Sequence, residues 1–130
     1  MEEVLLRAAL LAWLQGDPAL SGTLNAICEE APSRTSLPWL AIATSASTDW
    51  SSKTHRGREI RVALELQGRG DAPASLAALV TSIEARIESL PATHDGIDII
   101  TSRFLRARSE QRPGNRRAIL LEYAFRLFAS

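Results

Sequence analysis

From Glu59 to Gln67 apolar and polar residues alternate without a slip. Ile60, Val62, Leu64 and Leu66 fall on one side, Glu59, Arg61, Ala63 and Glu65 on the other. A period of two with one apolar side predicts a half-buried strand of an antiparallel sheet. The same pattern returns from Arg116 to Ala129. There Ile119, Leu121, Tyr123, Phe125 and Leu127 share a face, and the opposite face, Ala118 to Arg126, is only partly polar. Before each of these strands stands another extended segment, "WLAIATSAS" from Trp39 and "IDIITSRFLRARS" from Ile97. Leu40 and Ile42 point one way in the first of them, and Ala41, Ala43 and Ala46 leave room for close packing.

Between the two strand pairs the period changes. Leu76, Val80, Ile83, Ile87 and Leu90 recur at helical spacing, with Asp71 as predicted cap, Pro73 in the first turn and Pro91 as stop. A first helix spans Glu2 to Gln15. Val4, Ala8, Leu11 and Ala12 form its stripe, Leu5, Leu6, Leu10 and Trp13 widen it, and Glu2 and Glu3 sit at the positive end of the helix dipole. So broad an apolar arc implies packing on more than one side. Gly16 ends this helix, and "DPALSG" reads as one turn capped by Asp17. Residues 25–38 form a connector with at most a short strand around Ala26–Glu29.

The predicted fold is therefore α+β. An antiparallel or mixed sheet of about four strands carries two helices, in the order α-β-β-α-β-β, as one domain over residues 1–130. The last two strands are long enough to outrun the sheet and project a hairpin tip at Glu110–Arg117. Residues Thr48–Gly57 form a polar loop, with a lone Trp50, that is expected to stand off the sheet as an arm.

Composition narrows the function more than it narrows the fold. At 45% hydrophobic and 23% charged residues the chain is ordinary for a globular domain. Its acidic start carries no secretory signal, and no apolar run approaches the ~20 residues of a membrane span, so synthesis and folding in the cytoplasm are expected. Formal net charge is zero, but residues 1–31 set Arg7 against five acidic groups, whereas residues 99–130 set seven arginines against Glu110 and Glu122. An acidic head and a basic tail suit self-association or an anionic partner; solvated strand faces are the plainer alternative.

No phosphate-binding glycine loop, nucleophile elbow or metal-ligand spacing is present. Cys28 has no recognisable base, and His94-Asp95 reads as a surface turn, although a small hydrolase or transferase would have to use that pair. The sequence does not look like an enzyme, and neither cofactor nor metal is expected. Two features stand out instead. One is the loop after Asp49, where Trp50, Lys53, His55, Arg56 and Arg58 offer an aromatic anchor among cations; Trp50 folded back to cap the core is the alternative. The other is the arginine set Arg106, Arg108, Arg112, Arg116 and Arg117 along the last hairpin, suited to phosphates or carboxylates or simply to keeping an exposed strand soluble.

"LPWLAIATSASTDWSSKTHRGREIRVALELQGRG", with the leading "LLRAALLAWLQGDPAL", the helix "DAPASLAALVTSIEARIESL" and the closing "LLEYAFRLF", resembles the tail terminator, or tail completion, family of long-tailed phages. The similarity is greatest to the branch found in prophages and gene transfer agents. It covers nearly the whole chain and rests on order and spacing rather than on one motif. The resemblance implies a structural virion protein: a homo-oligomeric ring, of six subunits, at the head-proximal end of the tail tube. Its partners would be the tube protein and the head–tail connector, with DNA only passing through the bore. Trp50, Lys53, His55, Arg56 and Arg58 would then contact a neighbouring subunit or the tube. Arg106, Arg108, Arg112, Arg116 and Arg117 would face the bore or, because a bore must release DNA, pair with acidic groups across subunits. A head–tail connector or minor tail component, or a nucleic-acid-binding module built on the arginine hairpin, is the competing expectation.

Overall fold

The computed structural model describes the whole chain, residues 1–130. Helix α1 (Glu2–Gln15) and a short α2 (Pro18–Thr23) lead into strand β1 (Ile27–Cys28), β2 (Trp39–Asp49) and β3 (Gly57–Arg69). Helix α3 (Pro73–Glu88), β4 (Thr93–His94), β5 (Ile97–Arg112) and β6 (Arg116–Ala129) complete the order. The fold is α+β, as the periodicity predicts, but with three helices and six strands. The sheet runs β1-β2-β3-β6-β5-β4, antiparallel except for the β1–β2 pair. β1 falls within the short strand allowed around Ala26–Glu29, whereas β4, which the pattern missed, has two residues, too few for any periodicity to register.

All three helices pack on one face. Ile60, Val62, Leu64 and Leu66 of β3 and Leu121, Tyr123, Phe125 and Leu127 of β6 meet Leu6, Leu10 and Leu14 of α1 and Leu76, Leu79, Ile83 and Ile87 of α3. In α1 the buried stripe is thus Leu6-Leu10-Leu14, not the predicted Val4-Ala8-Leu11-Ala12. Val4 is 58% exposed, and Ala8 and Ala12 face solvent. The arc was wide enough to roll either way, and the sheet takes the stripe of three leucines, which removes more apolar area from water. Trp13 ties α1 to α3: its Nε1 donates to the Arg86 carbonyl and Arg86 Nε donates to the Trp13 carbonyl, each at 2.8 Å. The guanidinium lies 3.6 Å above the indole.

Of three further expectations, one holds and two change. Asp17 does cap α2, accepting from the Ala19 amide at 3.0 Å. Asp71 does not cap α3; it turns to Arg69 at 3.3 Å, and Ala72 holds the cap position with no side-chain bond. The last hairpin does not outrun the sheet, because β3 extends to Arg69 and stays paired with β6 up to Arg116. Ala43 bulges out of the β2–β3 ladder, so the residues of β2 that face the helices change from even (Leu40, Ile42) to odd (Ser45, Ser47). No helix is long and apolar enough to cross a membrane.

Candidate assembly surfaces

The loop after Asp49 is built, not free. The Trp50 amide donates to the Gly57 carbonyl at 2.9 Å and the Ser52 amide to the His55 carbonyl at 3.0 Å. Ser51 Oγ accepts from the Gly57 amide at 3.0 Å and donates to Asp49 Oδ1 at 2.7 Å. The hairpin therefore tightens upon itself, and its aromatics turn inward onto the end of β6. Trp50 stacks on Phe128 at 5.2 Å between centroids, and His55 lies against the same ring at 4.8 Å. Arg126 stands 5.4 Å over Trp50. Gly57 is required by space: a Cβ there would come within 2.3 Å of the Trp50 carbonyl oxygen.

This seating corrects the expectation of a free arm. Trp50 is half-buried and covers an aromatic of the last strand, close to the alternative in which it folds back. What the loop shows to solvent is charge. Lys53 and Arg56 are exposed and Arg58 partly so, and none of these cations has an ion-pair partner; His55 is exposed beside them. The partner ring, Phe128, was not singled out by the sequence; only the β3–β6 pairing puts Gly57 opposite Phe128.

The arginine set lies elsewhere, on the last hairpin: Arg106, Arg108, Arg112 and Arg116 on the helix-free face of the sheet, and Arg117 on the helix side, in line with Ile119 and Leu121. Arg106 forks onto Glu122, its cross-strand neighbour, and Glu110 takes Arg108 at 3.7 Å and Arg112 at 3.1 Å. These three arginines find carboxylates within the chain. Arg117 leans to Ser109 Oγ at 3.0 Å with its Nε left unpaired, and Arg116 is exposed without a partner. Further along the same face Arg126 and Arg61 share Glu59, at 2.9 and 3.5 Å. The guanidinium of Arg126 holds the Glu59 carboxyl below the usual range, and that of Arg106 does the same to Glu122. Between the pairs runs an open groove of about 500 Å³ lined by Thr44, Ala46, Arg61, Ala63, Arg106 and Glu122.

The remaining chemistry-bearing residues are occupied in other ways. Cys28 is partly buried, which raises its thiol pKa, away from nucleophilic character. His94 sits on the carbonyl of Pro91. No group of three or more His, Cys, Asp or Glu is placed to hold a metal.

The family model described as tail completion protein gp17 matches residues 8–127. Among solved structures the chain is similar to one from the "Virion of native gene transfer agent (GTA) particle". The two share 19% identity at a TM-score of 0.79, over 97% of this chain and 96% of that one. No curated protein matches.

Proposed function

Because the chain belongs to the tail completion protein gp17 family, we propose that it is a structural virion protein forming a ring of six subunits. That ring ends the tail tube and meets the head–tail connector, with DNA passing through its bore. The observation that carries this reading is the extent of the family match, which runs from within α1 to Leu127 in β6. The similar fold of a chain from a gene transfer agent particle supports it.

The surfaces suit a protein that works by contact. A single layer of helices leaves one whole sheet face uncovered, and unpaired cations stand on a loop braced by two aromatics. The alternative of a nucleic-acid-binding module loses its main ground, because Arg106, Arg108 and Arg112 are each already bound to a carboxylate. Neutralising phosphates would require breaking those pairs.

The test is stoichiometric. Tube protein polymerising in vitro gives tubes of open-ended length; adding this chain at one ring per tube end should halt growth and leave a cap visible by electron microscopy. Tubes that keep growing past an excess of the chain would refute the reading.

A further inference from the structure

We propose that the turn end of the last hairpin is a binding site for an acidic peptide segment of a partner protein, read by Gln67 and Arg116 together. The site belongs to the single chain and does not depend on how copies of the chain associate. An open cavity of about 480 Å³ at that end is lined by Gln67, Arg112, Pro113, Gly114 and Arg116. Strand pairing sets its walls. Arg69, Arg116 and Arg112 stand at one level across β3, β6 and β5, and Gln67 lies two residues further in, opposite Ala118. The Gly70 amide donates to the Asn115 carbonyl at 2.8 Å, which ties the turn to the end of β3 and holds the mouth of the cavity in place.

Two groups there have bonding capacity left over. Gln67, 8% exposed, is the only polar residue among the buried ones. Its Nε2 donates to Glu65 Oε2, but its Oε1 has no donor. A buried acceptor left unmet costs stability, and such groups are few in native proteins. Arg116 is exposed and has no ion pair, whereas its two neighbours are taken, Arg69 by Asp71 at 3.3 Å and Arg112 by Glu110 at 3.1 Å. Gln67 and Arg116 are diagonal neighbours on one face of the sheet. One acceptor and one cation are therefore left side by side.

That pair selects the ligand. The guanidinium calls for an anionic oxygen and the amide oxygen for an N–H. An aspartate or glutamate within a peptide offers both, its carboxylate and a backbone amide close beside it. A phosphodiester offers the anion but no donor, so a nucleic-acid backbone would leave Gln67 unmet. In the free chain Oε1 is also closed off from water. The terminal torsion of a glutamine is broad and soft, so the amide turns to meet a ligand N–H without moving the backbone.

The test is an NMR titration of the full chain, reading the Gln67 side-chain amide and the Arg116 Nε–H. The probes are the blocked tripeptide acetyl-Gly-Asp-Gly-amide, its Asn counterpart, inorganic phosphate and a short DNA duplex. The Asp peptide should shift both signals together, with a dissociation constant on the order of 1 mM for two polar contacts. The Asn peptide should bind about tenfold more weakly. Arg116→Ala should weaken the Asp peptide about tenfold and leave the melting temperature unchanged. Gln67→Met should weaken it about tenfold as well, yet raise the melting temperature, because it removes the unmet acceptor. A purely structural glutamine would not show that opposition. Binding unchanged by Gln67→Met overturns the proposal, and so does phosphate, DNA or the Asn peptide binding as well as the Asp peptide. No shift at about 20 mM Asp peptide overturns it too. Should Gln67→Met not fold, Arg116→Ala and the comparison of the two peptides decide.

Discussion

Removing the Trp50 ring asks how firmly the β2–β3 loop is seated. Trp50 is stacked on Phe128 at 5.2 Å and 18° between planes, with Arg126 5.4 Å from its ring. A fully enclosed aromatic costs about 3–5 kcal/mol to truncate to Ala. Trp50 is half-buried, so Trp50→Ala should cost about 2 kcal/mol, and Phe128→Ala about the same or more because His55 loses its support too. A stacked pair contributes about 0.5–1.5 kcal/mol beyond its area. The double variant should therefore lose about 1 kcal/mol less than the sum of the singles. Urea titration followed by far-ultraviolet circular dichroism reads this coupling without the overlap of three tryptophan signals; in the melt it corresponds to about 4 °C for a domain of this size. Strict additivity would refute the stacking and restore the loop as a free arm. A domain stable by about 5–15 kcal/mol survives the loss of Trp50, so Trp50→Ala should give a folded monomer. With its cationic loop no longer braced, that monomer should fail to assemble on tube ends, as electron microscopy would show. Normal assembly by a folded Trp50→Ala protein would remove the loop from the contact.

Other consequences follow from neighbouring geometry. Gly57→Ala drives a methyl group against the Trp50 carbonyl and should cost about 1–3 kcal/mol, measured by the same titration. Arg86→Ala removes the Nε bond to the Trp13 carbonyl and the cation–π contact while keeping the backbone carbonyl that accepts from Trp13 Nε1, and should lower stability by about 2 kcal/mol; a loss near zero would mean that the guanidinium adds nothing to the packing of α1 on α3. Glu59 and Glu122 have folded-state pKa values below their unfolded ones. The stability they contribute is thus complete above the ordinary glutamate range and is lost as pH falls through the depressed values. Glu59→Gln/Glu122→Gln should accordingly flatten the acid limb of a pH–melting curve and leave the profile above pH 6 with the same slope. Gln67 is buried with its Oε1 unpaired, so Gln67→Met, which removes the orphan acceptor at similar volume, should raise the melting temperature.

Where one residue's neighbours along the chain decided its role, the sequence was readable. The alternation of Glu59–Gln67 set a half-buried strand, Asp17-Pro18 set a helix start, and the spacing of Leu76, Ile83 and Ile87 set the buried side of α3. The candidate surfaces were legible only as inventories. Trp50 and the hairpin arginines could be named, but not their partners: Phe128 is 78 residues from Trp50, and Glu59 is 67 residues from Arg126. Asp71 shows the same limit at short range, since a nearby arginine took it from the cap it was suited to.

Local chemistry thus determined the α+β class, the two long hairpins and the helix between them, because strand and helix periods are properties of consecutive residues. Tertiary structure decided everything that depends on residues brought together from afar. It chose which of α1's apolar stripes faces the sheet, turned a polar loop into a braced one, matched arginines to glutamates across strands, and left β2 and β5 as open edges. Those outcomes follow from strand order and register, which packing of the whole chain sets and no stretch of sequence contains.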